Sequence, residues 1–262
     1  MSDDLRAPLP PLPRFAPVDF GGHKGTALAP IRWPIVLLFG IVVVSVALAF
    51  GSSWLAYGSD IMHGLLPDAR AIVLMGIIVL QYLPPLVFAA LWARKRGARL
   101  AETFCMRRFD AGAGIGMAIG FAAAARVVGI QYAVVIQRLG IKAPDTPDVT
   151  RLFPSSPVGV MATVLVAVVL APLAEEALFR GVVFAGLRDR WGQTAGVLVS
   201  AALFAVVHFS WFQFVPLFLL GVLLAQLVAS TRSIWPSVLC HAAFNGSAVA
   251  LLYVLRAVGV GG

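Results

Sequence analysis

From about Ile31 onward the apolar residues run in long blocks, broken by short polar or basic connections. A helix rises about 1.5 Å per residue, so about 20 apolar residues cross a hydrocarbon layer of about 30 Å. By that measure the pattern predicts seven helices, over 33–57, 71–92, 112–137, 158–187, 193–211, 214–229 and 233–255, the sixth being short. No two-residue alternation is visible, which argues against a barrel. The expected fold class is an all-α polytopic membrane helix bundle. Three stretches are expected along the chain: a flexible tail over 1–30, N-terminal transmembrane helices over 31–157, and a catalytic transmembrane core over 158–256. The tail reading rests on Pro8, Pro10, Pro11, Pro13 and Pro17, a density that excludes a helix or a buried core.

Composition sharpens this picture. Sixty percent of the 262 residues are hydrophobic and 12% are charged, about half the charge of an average soluble domain. An ordinary soluble enzyme, a disordered chain and a nucleic-acid module are excluded. The net charge of +8 then concerns orientation. Alternating the connections from the N-terminus places thirteen Lys and Arg on the N-terminal side and five on the other. Positive charge is retained on the cytoplasmic side, so a cytoplasmic N-terminus is expected, in a bacterial inner or cell membrane. Two cysteines exclude a disulfide scaffold. Cys105 reads as a bystander in a basic connection. Gly112, Gly114 and Gly116 follow no strand and do not make a dinucleotide loop. The Gly116–Gly120 step is expected to admit a neighbouring helix closely.

Ionisable groups inside a membrane are costly and call for a partner or a purpose. Glu175, Glu176 and Arg180 interrupt the fourth run, and apolar residues resume at 181–187. Glu176 and Arg180, four apart, share a face and can pair. Glu175 is turned about 100° away and has no local cation, which suits a general base. Phe204 and His208 lie in the fifth run, and His241 and Asn245 share a face of the seventh. Counted from the basic ends, Glu175, His208 and Asn245 lie about 20 Å deep and His241 about 14 Å. A carboxylate, two imidazoles and an amide at one level can perform hydrolysis. Glu175 would take a proton from water with His208 orienting it, while His241 and Asn245 donate to an oxyanion. Glu175, His208 and His241 are also the ligand types of a hydrolytic zinc, although His-Glu-x-x-His is absent. No cofactor is favoured; zinc is the one that this donor set admits.

The three motifs, in this order on separate apolar helices, resemble the CPBP family of intramembrane proteases. That family includes the type II CAAX prenyl endopeptidases and bacterial proteins of the bacteriocin-processing and immunity kind. Its pattern is Glu-Glu-x-x-x-Arg, Phe-x-x-x-His and His-x-x-x-Asn or Asp, filled here by Glu175, Glu176, Arg180, Phe204, His208, His241 and Asn245. The resemblance covers about 158–252. It implies a helical membrane protease whose base is Glu175, assisted by His208, with His241 and Asn245 at the oxyanion and Glu176, Arg180 and Phe204 in support. The family has been described both as metal-dependent and as glutamate-type; the glutamate reading accounts for every motif residue.

The expected partners are the lipid bilayer and a membrane-anchored protein or peptide substrate, with no nucleic acid. Arg126 is expected to pair with Glu176 or, as the lesser reading, to bind a substrate carboxylate. The rival functions are a non-proteolytic immunity or scaffold protein of the same fold and a proton-coupled transporter. The complete motif set weighs against the first, and the lack of a convincing internal repeat against the second.

Overall fold

The computed structural model describes residues 28–29, 31–54, 65–141 and 155–259. Most of the expected tail, together with Lys142 and Arg151 of the counted charges, lies outside them. The described chain is helical: α1 (Ile35–Ser53), α2 (Pro67–Arg94), a single turn α3 (Leu100–Thr103), α4 (Ala111–Arg138), α5 (Pro157–Trp191), α6 (Gln193–Val206), α7 (Trp211–Thr231) and α8 (Trp235–Ala257). The expected all-α membrane bundle is borne out. Large apolar side chains such as Val36, Val43, Ile119, Val127, Leu251 and Val254 face outward, as they do where the surroundings are hydrocarbon rather than water.

Five of these helices, α1, α4, α5, α7 and α8, are long and apolar enough to cross a membrane among the described residues. The 28 residues of α2 also reach far enough, and Pro84 and Pro85 sit inside it. The short helix is the fifth of the expected series rather than the sixth: α6 has 14 residues, while α7 has 21. The shift has a local cause. The Ser210 hydroxyl accepts the amide of Gln213 and caps α7, drawing Trp211–Gln213 into that helix.

Helix α5 is the centre of the bundle, packed by α1, α2, α6, α7 and α8. Every residue from 175 to 187 is buried, so the segment is enclosed on all sides, as an apolar-all-round helix requires. It winds wide in two places, at Leu165–Leu170 and Ala177–Phe184. The first wide turn precedes Pro172, whose ring would clash with the preceding turn of a regular helix and which has no amide to donate. Gly181 lets this helix meet the backbone of Phe104, because a Cβ there would stand 2.8 Å from the Phe104 Cα. The expected close approach at Gly116 and Gly120 is not found, as a Cβ at either would meet nothing within 4 Å. The tight glycine of α4 is Gly114, set against Phe109 and Pro236.

The connections assigned to the N-terminal side meet at one end of the bundle. Asp189 accepts the amides of Leu28 and Ala29, and the guanidinium groups of Arg107 and Arg190 donate to the carbonyls of Leu28 and Trp33. Leu28 and Ala29 are buried. Cys105 is no bystander. It is fully buried beside the carbonyls of Leu28 and Gly181, and its own carbonyl accepts the amide of Ile234.

Candidate active site

The doublet Glu175-Glu176 of α5 faces two different neighbourhoods. Glu176 is fully buried. Its Oε1 lies 3.2 Å from Arg180 Nη1 and accepts Nδ1–H of His241 at 2.9 Å, while its Oε2 accepts the Ser237 hydroxyl. Arg180 donates on to the carbonyl of Gly221 and lies 4.3 Å over the Phe204 ring. A buried ion pair loses hydration, and it holds only when its remaining hydrogen-bonding capacity is used. Ser237 and His241 use that of Glu176, while on Arg180 the Gly221 carbonyl and the Phe204 ring are engaged and Nε has no hydrogen-bond partner. The expected Glu176–Arg180 pairing is present, and its effect is to fix His241.

Glu175 keeps one oxygen free. Its Oε1 accepts the Tyr82 hydroxyl of α2 at 2.9 Å. Its Oε2 is buried without a hydrogen-bond partner, 4.0 Å from Nε2 of His208 and 3.8 Å from Nε2 of His241. Both rings are turned this way by their other nitrogen. His208 lies in the turn beyond α6, where its own amide bonds to Ala205, so the Phe204 carbonyl is left without an amide donor. Nδ1 of His208 takes that carbonyl at 2.7 Å. A carbonyl only accepts, so Nδ1 carries the proton there, and a neutral ring turns a lone pair at Nε2 toward Glu175. His241 is set in the same manner by Glu176. The Phe204 ring stands edge-on to both imidazoles, at 4.8 Å and 5.7 Å between centroids, and fixes their spacing.

The gap between Glu175 Oε2 and His208 Nε2 is too wide for a direct hydrogen bond. It suits a water that donates one proton to each, with its lone pairs directed away from both. The three converging groups also have the chemistry of metal ligands, and each ring is anchored at its far nitrogen as metal-binding histidines are. As the side chains stand, no three His, Cys, Asp or Glu groups among the described residues come close enough to hold an ion.

Arg126 is placed differently from the expectation, and Asn245 makes a contact that the sequence did not show. Asn245 Nδ2 donates to the carbonyl of Ala167 at 2.9 Å. In the wide turn the amide of Ala171 reaches back to Val166, so the next amide in that register would fill Ala167. That residue is Pro172, which has none, and Asn245 supplies the missing donor. Arg126 does not pair with Glu176: it donates to Ser247 Oγ and the Phe244 carbonyl of α8 and lies 4.0 Å over the Phe244 ring. Its desolvation is relieved by α8 rather than by a carboxylate.

Two residues escape the sequence reading. Ser237 had a signal, since with His241 and Asn245 it recurs every four residues along one face of α8. Tyr82 had a weaker one, the polar pair Gln81-Tyr82 inside an apolar run. Beside Tyr82, between α2 and α5, lies a cavity of about 400 Å³ lined by Val79, Leu83, Leu86, Leu170, Leu173, Ala174 and further apolar residues.

Residues 157–247 match the family described as Type II CAAX prenyl endopeptidase Rce1-like. The chain is 35% identical over 96 residues, 34% of its length, to an uncharacterized 24.3 kDa protein of Escherichia coli, covering 43% of that protein. It is 32% identical over 89 residues, 32% of its length, to the UPF0177 protein YxdF of Lactococcus lactis subsp. lactis (strain IL1403), covering 48% of it. The chain thus spans a little under half the length of these curated relatives. No solved structure gives a significant match. The matched stretch runs from the start of α5 into α8 and holds all three motifs, and over it the chain is similar to the Rce1-like type II CAAX prenyl endopeptidases, a family of intramembrane proteases.

Proposed function

We propose that the protein is an intramembrane endopeptidase that cleaves a peptide bond in a membrane-associated protein or peptide by a glutamate-activated water. The observation that carries this reading is the unpartnered Glu175 Oε2, buried 4.0 Å from His208 Nε2 and 3.8 Å from His241 Nε2. Water held between Glu175 and His208 gives a proton to Glu175 while its oxygen bonds to the scissile carbonyl carbon. His241, held at Nδ1 by Glu176, turns its other nitrogen toward the developing oxyanion. Asn245 offers the amide hydrogen that Ala167 does not take. The tetrahedral species collapses as the C–N bond breaks, and the proton on Glu175 passes to the leaving amine.

The reading is metal-independent because one base and an oxyanion site account for every motif residue. The cavity beside Tyr82 is apolar and accepts an acyl, prenyl or aliphatic side-chain segment of a membrane-anchored substrate. The cytoplasm is assigned to the end where Arg107, Arg188, Arg190 and Arg232 gather, by the asymmetry of positive charge.

The test is cleavage of a library of membrane-anchored peptides in proteoliposomes by the wild type and by Glu175→Gln. Cleavage by the wild type and a loss of at least about a thousandfold in the variant are expected, because the base is removed without change of shape. Equal cleavage by both overturns the reading.

A further inference from the structure

The carboxylate of Glu175 has two chemically equivalent oxygens, and only one of them can serve the site. Rotation about its last bond would turn the carboxylate plane, and with it the oxygen facing the imidazoles, away from the site unless something holds it. The Tyr82 hydroxyl does so: it donates to Oε1 at 2.9 Å from a side chain that is itself buried. Tyr82 belongs to α2, outside the stretch 157–247 that carries the motifs. Its ring lines the apolar cavity while its oxygen reaches into the site. Among the described residues the Tyr82 hydroxyl is the hydrogen-bond donor that Glu175 has, and the other carboxylate oxygen has none.

We propose that Tyr82 is a positioning residue for the base: its hydroxyl holds Oε1 of Glu175 so that Oε2 faces His208 and His241 and takes the proton of the attacking water. This rests on the endopeptidase reading above. Tyr82 exchanges no proton with substrate and touches no reacting atom. Its effect is on how often Glu175 is correctly turned, so it acts on turnover rather than on affinity. Because the ring also forms a wall of the cavity, only removal of the hydroxyl separates the two roles.

The experiment compares the wild type, Tyr82→Phe and Glu175→Gln on one cleavable membrane-anchored peptide in proteoliposomes. Rates are referred to folded protein, measured by size exclusion and thermal melting. Tyr82→Phe is expected to lower kcat about tenfold to a hundredfold, the effect of losing one charge-assisted hydrogen bond, with KM within about twofold. The double variant Tyr82→Phe/Glu175→Gln is expected to be no slower than Glu175→Gln alone, because the hydroxyl acts only through the base. A merely structural tyrosine would reduce the folded fraction and leave kcat per folded molecule alone. The proposal is overturned if Tyr82→Phe keeps kcat within about twofold, if only KM changes, or if the two substitutions act independently. Loss of cleavage in Glu175→Gln with full kcat in Tyr82→Phe overturns this inference alone. Equal cleavage by wild type and Glu175→Gln overturns the endopeptidase reading and this inference with it.

Discussion

His241 donates its Nδ1 proton to Glu176 at 2.9 Å, while its other nitrogen lies 3.8 Å from Glu175. One imidazole therefore stands between neighbouring carboxylates that serve different ends. Glu176, fully enclosed with Arg180 and Ser237, builds the site. Glu175, with one oxygen unpartnered, faces the space where chemistry can occur.

Breaking the enclosed pair has a large expected effect on stability. Arg180→Met leaves Glu176 buried without its cation, and removal of one partner of such a pair costs about 3–5 kcal/mol. Ser237→Ala removes one hydrogen bond to the same carboxylate and should cost about 1–3 kcal/mol. Unfolding in mixed detergent micelles measures both, and similar losses in the two variants would contradict the assignment of the charge to Arg180.

His208 behaves in the opposite way. Its side chain is 28% exposed and hangs at the end of α6, so His208→Ala should change stability by about 1 kcal/mol or less. Cleavage should fall at least about a hundredfold, the range typical of a positioned acid–base group. Parallel melting curves and initial rates decide the matter. A large stability loss with normal turnover per folded molecule would make His208 a packing residue.

The link between Asn245 and Pro172 is testable without any substrate. Asn245→Ala leaves the Ala167 carbonyl without its donor, at an expected cost of about 1–3 kcal/mol. With Pro172→Ala in the background, residue 172 regains an amide that can fill the same carbonyl, and the cost of Asn245→Ala should shrink to about half or less. Additive effects in this double-mutant cycle would refute the link.

Cys105 should be inert in the folded protein. Its burial pushes the thiol up to about 11, with Arg107 opposing that rise and Asp189 adding to it. At pH 7.5 a maleimide should label it only after unfolding. The folded thiol keeps its proton above the usual value of 9.0, so the native state binds more protons between about 9 and about 11. Stability therefore falls as pH rises through that window, and Cys105→Ala should flatten the fall. Rapid labelling of the native protein at neutral pH would show that the segment around Cys105 opens.

Exhaustive chelation separates the glutamate and metal readings. Cleavage should persist after chelator treatment, and added zinc should not raise it. Loss of cleavage that zinc restores would make Glu175, His208 and His241 ligands instead.

Sequence alone determined the class of the fold and named most candidates for the site. Long apolar runs have one way to satisfy their backbone groups in hydrocarbon, which is to form helices. Charge inside such runs is costly enough to mark Glu175, Glu176, Arg180, His208 and His241. The i, i+4 spacing of Glu176 and Arg180 also fixed their pairing, because partners on one helix are set by its pitch. Only the tertiary structure decided which groups meet between helices. Tyr82 is 93 residues from Glu175 in the chain, and nothing local ties them. Arg126 settled on α8 rather than on Glu176, and Asn245 on a carbonyl left open by a proline of α5. A hydrogen bond depends on angstroms of interhelical placement, whereas the pattern along one chain fixes only which face of its own helix a residue occupies.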